Sequence, residues 1–227
     1  MAVSFADGRA VEKGRPVVVV AATWQPVASA AKARAQAREL AELGLRGLWV
    51  PSETAASDID TALDAARRAG LAALVADQAP AAPHVLASAR RSVELVTDSA
   101  TAFSALCSGC TLVAGPLAAV RGLARFVNLA DDAAQWAPRL GQGSWRLTGA
   151  GDELAGFSPR GEPLTLAIPA HEPPLALHWI EPETGDILGL VTPEPGAGHV
   201  LEPHGAASAF YLGPNRWQPD ESDAWQD

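Results

Sequence analysis

Three carboxylates of this chain follow short apolar runs that have the composition of buried strands. They are Glu53, Asp77 and Asp98. Side chains that leave the carboxyl ends of parallel strands meet at one edge of the sheet, so we expect these three to share a pocket. Two carboxylates about 5 to 9.5 Å apart, one protonated and one ionised, can cleave a glycosidic bond. For that chemistry Asp98 is the candidate general acid, and Asp77 or Glu53 is the second carboxylate.

The same positions also have a structural explanation. An aspartate at a turn from strand to helix accepts hydrogen bonds from the first backbone N–H groups of the helix and so caps it. Asp98, and Asp131 after a later apolar run, fit this capping role as well as a catalytic one. Both interpretations therefore stay open at the level of the sequence.

Tryptophan is unusually frequent, with seven residues beside one tyrosine and five phenylalanines. Trp24 and Trp49 each stand at the end of a predicted strand, where they would line the same pocket as the carboxylates. The face of an indole ring is a preferred surface for sugar rings and for protein partners. Trp24 and Trp49 are therefore candidate substrate-binding residues, with ordinary core packing as the alternative.

Signals for metals and cofactors are weak. The CxxC segment 107–110 lies between a predicted helix end and a strand, the reverse of the order in a redox site, and it offers only half of a zinc site. Four of the five histidines fall in the carboxyl-terminal part, at spacings untypical of metal ligands: His171, His178, His199 and His204. No glycine-rich phosphate loop, GxSxG elbow or HExxH helix occurs. The sequence predicts inert thiols, no metal and no cofactor.

The elements that position these residues alternate between strand and helix. The run at 16–22 is apolar and rich in valine, as in a strand buried on both faces, and glycines end the first two predicted helices. The predicted helices are 28–43, 57–69, 82–91, 100–107 and 116–124. Further strands are predicted at 45–51, 71–76, 93–97, 111–114 and 126–129. Such alternation is typical of a parallel sheet.

The length of the strand–helix repeats and the frequency of Gly and Pro divide the chain into three parts. The strand–helix repeats are about 20 residues apart, whereas an eight-stranded barrel uses roughly 30 per unit. Residues 1–140 are therefore predicted to form a shortened (β/α) barrel-like fold or an open parallel sheet. Frequent Gly and Pro between short apolar stretches predict a small antiparallel β module at 141–214, and an acidic tail follows at 215–227.

Several segments carry a resemblance to a known family. Near the amino end, Phe5-Ala6-Asp7-Gly8-Arg9, Lys13-Gly14-Arg15-Pro16 and Ala22-Thr23-Trp24-Gln25-Pro26 resemble the opening hairpin and first strand of barrel-type, clan A-like glycoside hydrolases. The segments 42–51 and 63–71 are similar to their next units, and His178-Trp179-Ile180-Glu181-Pro182-Glu183-Thr184-Gly185 resembles a hairpin of the β-sandwich that often follows such barrels.

The resemblance implies an architecture more strongly than an activity. In this family the general acid often stands in an Asn-Glu pair, and no Asn-Glu pair occurs here. The matching positions nearest to the family's strand-end carboxylates are Asp98, Glu53 and Asp77. The chain is thus expected to be a reduced or degenerate relative, either catalytic or non-catalytic.

Composition excludes several classes of partner. With a net charge of −9, a pI near 5.0 and scattered Lys and Arg residues, binding to nucleic acid or to an anionic membrane surface is not expected. No apolar run reaches the roughly 18 residues of a membrane span, and no apolar core for a signal peptide occurs near the start, so a cytoplasmic location is expected.

Two functions fit these observations. The first is a carbohydrate-active or carbohydrate-binding protein that resembles a glycoside hydrolase. The alternative is a non-enzymatic structural or accessory subunit that uses the α/β scaffold for protein contacts, with homo-oligomerisation left open. An α/β enzyme of unrelated chemistry is a third possibility.

Overall fold

The computed structural model describes residues 3–6, 9–76, 85–87, 93–130 and 133–214. A small antiparallel sheet comes first, with β1 (Ser4–Ala6), β2 (Arg9–Glu12) and β3 (Arg15–Pro16) in that spatial order. The main sheet then contains β4 (Val19–Thr23), β5 (Gly47–Val50), β6 (Ala72–Val75), β7 (Val85–Ala87), β8 (Glu94–Leu95) and β9 (Leu112–Gly115).

All neighbouring strands of the main sheet are parallel, in the order β7-β6-β5-β4-β9-β8. If the sheet is followed as a ring, its strands come in chain order from β4 to β9. The ring is open between β7 and β8, which are the two edge strands within the described residues. A (β/α) barrel has the same cyclic order with eight strands. The prediction of a shortened barrel-like parallel sheet is confirmed.

In the described parts of the chain, four helices cover the outer face of this sheet: α1 (Ala30–Glu42), α2 (Ala56–Ala69), α3 (Ser99–Cys107) and α4 (Leu117–Val127). The Ser29 side chain caps α1 by accepting from the backbone N–H of Lys32, at 3.3 Å. Gly70 ends α2 in the left-handed conformation, with a φ of 75°. Among the described residues, no helix is long and apolar enough to cross a membrane.

Two of the predicted elements are wrong. The expected strand at 126–129 is the last turn of α4 and the residues after it, because Val120, Leu123 and Val127 recur at helical spacing on one buried face. The expected helix at 82–91 contains β7, a short strand, although parts of that range lie outside the described residues. Apolar runs this short do not distinguish a buried strand from a buried helix.

The inner face of the sheet combines small residues with a few large ones. Ala21, Gly47, Ala72 and Ala114 face inward, and a Cβ atom on Gly47 would lie 2.6 Å from Cγ1 of Val19. Barrel diameter falls with strand number, so these small residues leave room for the larger inward side chains, among them Val19, Trp49, Leu74 and Leu112. Val3, directly before β1, and Ala10 of β2 join this inner core.

The carboxyl-terminal module is a sandwich of two antiparallel sheets. Its strands are β10 (Ala137–Arg139), β11 (Arg146–Ala150), β12 (Glu153–Ser158), β13 (Leu164–Ile168), β14 (Leu175–Ile180), β15 (Ile187–Val191), β16 (Gly196–Leu201) and β17 (Ser208–Pro214). Six strands pair as β10-β11-β12-β17-β14-β15, and β13 pairs with β16. The antiparallel sheet thus begins a few residues before position 141. Trp145, Trp179 and Phe210 fill the core of the sandwich.

The other face of the six-stranded sheet packs on α3 and α4. Phe157 of β12 stacks on Phe103 of α3 with ring centroids 5.6 Å apart, and Phe103 contacts Phe126 of α4 edge-on at 5.0 Å. Residues of both parts belong to one continuous buried cluster. The module is therefore packed onto the barrel rather than tethered to it.

The hairpin between β14 and β15 completes this attachment. Arg125 of α4 donates to the backbone oxygen of Thr184 at 3.3 Å and forms an ion pair with the Asp186 carboxylate. A Cβ atom on Gly122 would lie 2.0 Å from the backbone oxygen of Pro182. The family-like stretch 178–185 thus lies where the module contacts α4.

Replacing Gly122 with alanine tests this contact. In an open helix the change would stabilise the protein by about 1 kcal/mol, but here the new methyl group collides with a backbone carbonyl, so we expect a loss of about 1–3 kcal/mol. Urea unfolding measures it. The control is Gly205→Ala, whose methyl group meets only Ala207 O at 3.6 Å. A raised midpoint for Gly122→Ala would contradict the observed docking.

Candidate functional site

A cavity of about 270 Å³ lies at the carboxyl ends of the parallel strands. We call it the rim pocket. Its lining includes Thr23, Trp49, Ser52, Glu53, Ala76 and Gly115. These residues come from the ends of β4, β5, β6 and β9 or just beyond them, which is where α/β folds of this type bind ligands.

Trp49 forms a fixed wall of the rim pocket. It pairs with Thr23 on one side and Leu74 on the other, and its backbone oxygen accepts from the N–H of Trp24 at 2.7 Å. Its side chain belongs to the inner core and is 5% exposed. Because Trp49 is almost fully buried, only a small part of its surface, fixed in position, lines the cavity.

Glu53 brings a carboxylate to the same pocket. Pro51 follows β5, and Glu53 stands in the short turn before α2, with its side chain exposed. The Ser52 hydroxyl donates to Oε2 of Glu53 at 3.4 Å. Among the described residues that line the rim pocket, Glu53 is the one acidic side chain. Its carboxylate oxygens can accept hydrogen bonds from a ligand's hydroxyl groups.

Asp98 caps α3 and does not line the rim pocket. Its Oδ1 accepts from the backbone N–H of Thr101 at 2.7 Å, and the Thr101 hydroxyl accepts from the backbone N–H of Asp98 at 3.3 Å. These bonds, above all the one from the Thr101 backbone, lower the pKa of Asp98. A general acid needs a raised pKa, so the geometry favours the capping interpretation of Asp98.

The other predicted site residues are placed differently. Trp24 is 2% exposed and packs in the outer core between sheet and helices, so it is not part of the rim pocket. Asp77 and Asp131 lie outside the described residues, although Ala76, directly before Asp77, lines the rim pocket. Of the predicted residues, Trp49 and Glu53 are brought together.

Gly115 is a site residue that the sequence analysis did not find. A Cβ atom there would lie 2.5 Å from the backbone oxygen of Val96. The missing side chain lets the ends of β8 and β9 come together beside the cavity. One glycine at a strand end gives no specific signal in a sequence with 20 glycines.

The two cysteines and the four histidines of the β module are not among the residues that line the rim pocket. Burial raises the pKa of Cys107 to about 12, and the pKa of Cys110 is raised mainly by burial as well. Both cysteines are free. Within the described ranges, no three His, Cys, Asp or Glu side chains gather closely enough to hold a metal ion.

Replacing Asp98 with alanine tests its capping role. The loss of an N-cap is expected to cost about 0.5–2 kcal/mol near neutral pH. The pKa of Asp98 is depressed in the folded state, so its contribution is present above the unfolded pKa and is lost as the pH falls through the lower folded value. Thermal melts from pH 7 downward should therefore show the variant and the wild type converging in acid. Asp60→Ala, at an exposed position of α2, is the control.

The fold is similar to those of solved structures. A protein described as "Glycoside hydrolase" superposes with a TM-score of 0.65 at 8% identity, covering 96% of this chain and 98% of the other. A glycoside hydrolase family 5 protein from Bacteroides vulgatus ATCC 8482 gives 0.62 at 6% identity, covering 99% and 95%. The chain has a glycoside hydrolase-like fold. No protein-family model and no curated protein matches the sequence.

These likenesses extend over both parts of the chain, so they include the module as well as the barrel-like sheet. The resemblance proposed from the sequence segments is confirmed at the level of architecture. At 8% and 6% identity the likeness concerns the fold alone. Activity has to be argued from the side chains of this chain.

Proposed function

We propose that this protein binds a carbohydrate at the rim pocket. The observation that supports the proposal is the presence of Trp49 and Glu53 in one cavity at the strand ends of a glycoside hydrolase-like fold. An indole face packs against the C–H face of a sugar ring, and a carboxylate accepts hydrogen bonds from its hydroxyl groups. The rim pocket combines both groups.

The size of the cavity restricts the ligand. At about 270 Å³ it is slightly smaller than pockets for drug-sized molecules, which hold about 300–1,000 Å³. One sugar ring, rather than a long chain, is the unit that it accommodates. The remaining units of an oligosaccharide would extend over the exposed turn that carries Glu53.

Glutamine in place of Glu53 tests the binding proposal. The change keeps the shape of the side chain and removes the charge, so hydrogen bonds from ligand hydroxyls to the carboxylate weaken by about 1 kcal/mol or more, a several-fold loss of affinity. Calorimetry against a panel of mono- and disaccharides measures it. Glu39→Gln, on exposed α1, is the control. Equal affinities for both variants and the wild type, or no binding by any of them, would refute the proposal.

Glycoside hydrolysis extends this proposal and requires a second carboxylate. Asp77 is our choice, because Ala76 directly before it lines the rim pocket. Glu53→Gln and Asp77→Asn should each lower the turnover of an aryl glycoside by about 100-fold or more if the two act as acid and base. Asp98→Asn should retain turnover, because the Asp98 carboxylate caps α3. Binding without turnover in the wild type would assign a non-catalytic role.

A role as an accessory subunit is the second candidate, and the edge strand β15 favours it. Leu188, Leu190 and Val191 are 47%, 37% and 53% exposed on a strand that has a neighbour on one side only within the described residues. Unprotected apolar edge strands tend to pair with other chains. Light scattering that shows a defined oligomer, disrupted by Leu190→Lys, together with no glycan binding, would favour this role.

A further inference from the structure

A second cavity, of about 590 Å³, lies at the opposite, amino end of the parallel sheet. Lys13 and Arg15 reach it from the β2–β3 hairpin, and Arg46 reaches it from the residue before β5. We call it the basic pocket. It shares no lining residue with the rim pocket, so its ligand is independent of the proposed carbohydrate site.

The charges of the basic pocket are unbalanced. Lys13, Arg15 and Arg46 face a single carboxylate, Glu12, and none of the three cations forms an ion pair within the described residues. Among the described residues, four other arginines are paired: three gather on Asp64, and Arg125 pairs with Asp186. Around this cavity the three cations outnumber the one carboxylate of the described lining, so an anion that binds there would reduce their mutual repulsion.

The backbone holds these cations in place. The N–H of Arg46 donates to Val20 O at 3.1 Å, and its carbonyl accepts from Ala72 N at 2.9 Å, so the residue is bound between two strands of the sheet. The bond from Val17 N to Ala10 O, at 3.0 Å, closes the hairpin, and two residues later the chain enters the parallel sheet, where Val19 N donates to Thr111 O at 2.8 Å. The side chains therefore start from fixed positions around the cavity.

We infer that the basic pocket binds a small molecule that carries a phosphate or carboxylate group. Guanidinium groups donate paired N–H bonds to such oxyanions, and an ammonium group adds a point charge. The volume exceeds that of a bare ion, so an anion attached to a sugar-sized body fits. Asn128, which also lines the cavity, supplies a polar neighbour.

Titration of the whole chain with inorganic phosphate, glucuronate and glucose at low salt tests this inference. We expect one or both anions to bind and to raise the melting temperature, with an affinity that falls as salt is added, and glucose to have no effect at this site. The double variant Arg15→Gln/Arg46→Gln should lose about tenfold or more in anion affinity. Glu12→Gln should gain affinity. Which anion binds more tightly identifies the chemistry of the ligand.

The control is Lys32→Gln/Arg160→Gln, which removes the same charge at exposed positions of α1 and the β module. It should bind the anions as the wild type does. An equal loss of anion affinity in both double variants would mean that the affinity depends on the overall charge of the protein, and it would overturn the inference. So would the absence of anion binding by the wild type, whereas a failure of glycan binding at Glu53 would leave it intact.

Discussion

Replacing Phe157 with alanine is expected to lower the free energy of unfolding by about 3–5 kcal/mol. Phe157 is fully buried, and its ring stacks on Phe103, which in turn contacts Phe126. The substitution removes the ring that joins the β module to α3 and α4. Urea unfolding followed by tryptophan fluorescence and by far-ultraviolet circular dichroism measures the loss.

The two probes also report whether the chain unfolds as one unit. In the wild type we expect coincident transitions, because one buried cluster includes both parts. In Phe157→Ala the transitions should separate, since the link between the parts is weakened. Phe210→Ala is the matched control, because Phe210 lies in the core of the sandwich and its loss destabilises the module directly. Separate transitions already in the wild type would contradict a single cooperative unit.

The fold was predictable where strand and helix differ in composition. The valine-rich run before Ala22 and the Ala- and Glu-rich segment after it gave β4 and α1, and the glycines after the first two helices marked their ends. The prediction failed where the apolar runs are short, at the end of α4 and at β7. There, packing against neighbours decides between the two conformations.

The site was predictable only in part, and the pleat of the strands explains why. Side chains alternate between the two faces of a strand, so Thr23 faces the rim pocket and Trp24 the outer core. Both faces of β4 are buried, so its sequence does not alternate between apolar and polar residues and gives no sign of which face is inside. The sequence therefore predicts that a residue lies near a strand end, but not towards which face of the sheet its side chain points.

The role of Asp98 depends on Thr101, a residue that is not considered when only the position after a strand is used. Thr101, three residues later, supplies the second half of a capping box. The hydrogen bond from the Thr101 backbone N–H to the Asp98 carboxylate lowers the pKa of Asp98. A sequence interpretation that weighs the residue three positions ahead would have assigned Asp98 to α3.

Alanine substitutions at Trp24 and Trp49 should both be costly, yet only one should affect ligand binding. Each side chain is almost fully buried, so each variant is expected to lose about 3–5 kcal/mol. Trp49 lines the rim pocket and Trp24 packs behind the sheet. Trp49→Ala should therefore abolish measurable saccharide binding, while folded Trp24→Ala should bind as the wild type does.

The leucine variants keep this comparison possible if the alanine variants unfold. Leucine restores much of the lost volume at each position but offers no flat ring. Trp49→Leu should therefore fold but bind the sugar several-fold to about tenfold more weakly, because the aromatic stacking surface is lost. Trp24→Leu should fold with unchanged binding. Calorimetry on protein shown to be folded by circular dichroism decides between the outcomes. Equal losses for both leucine variants would mean that binding depends on the stability of the sheet, and that Trp49 is not a contact surface for the sugar.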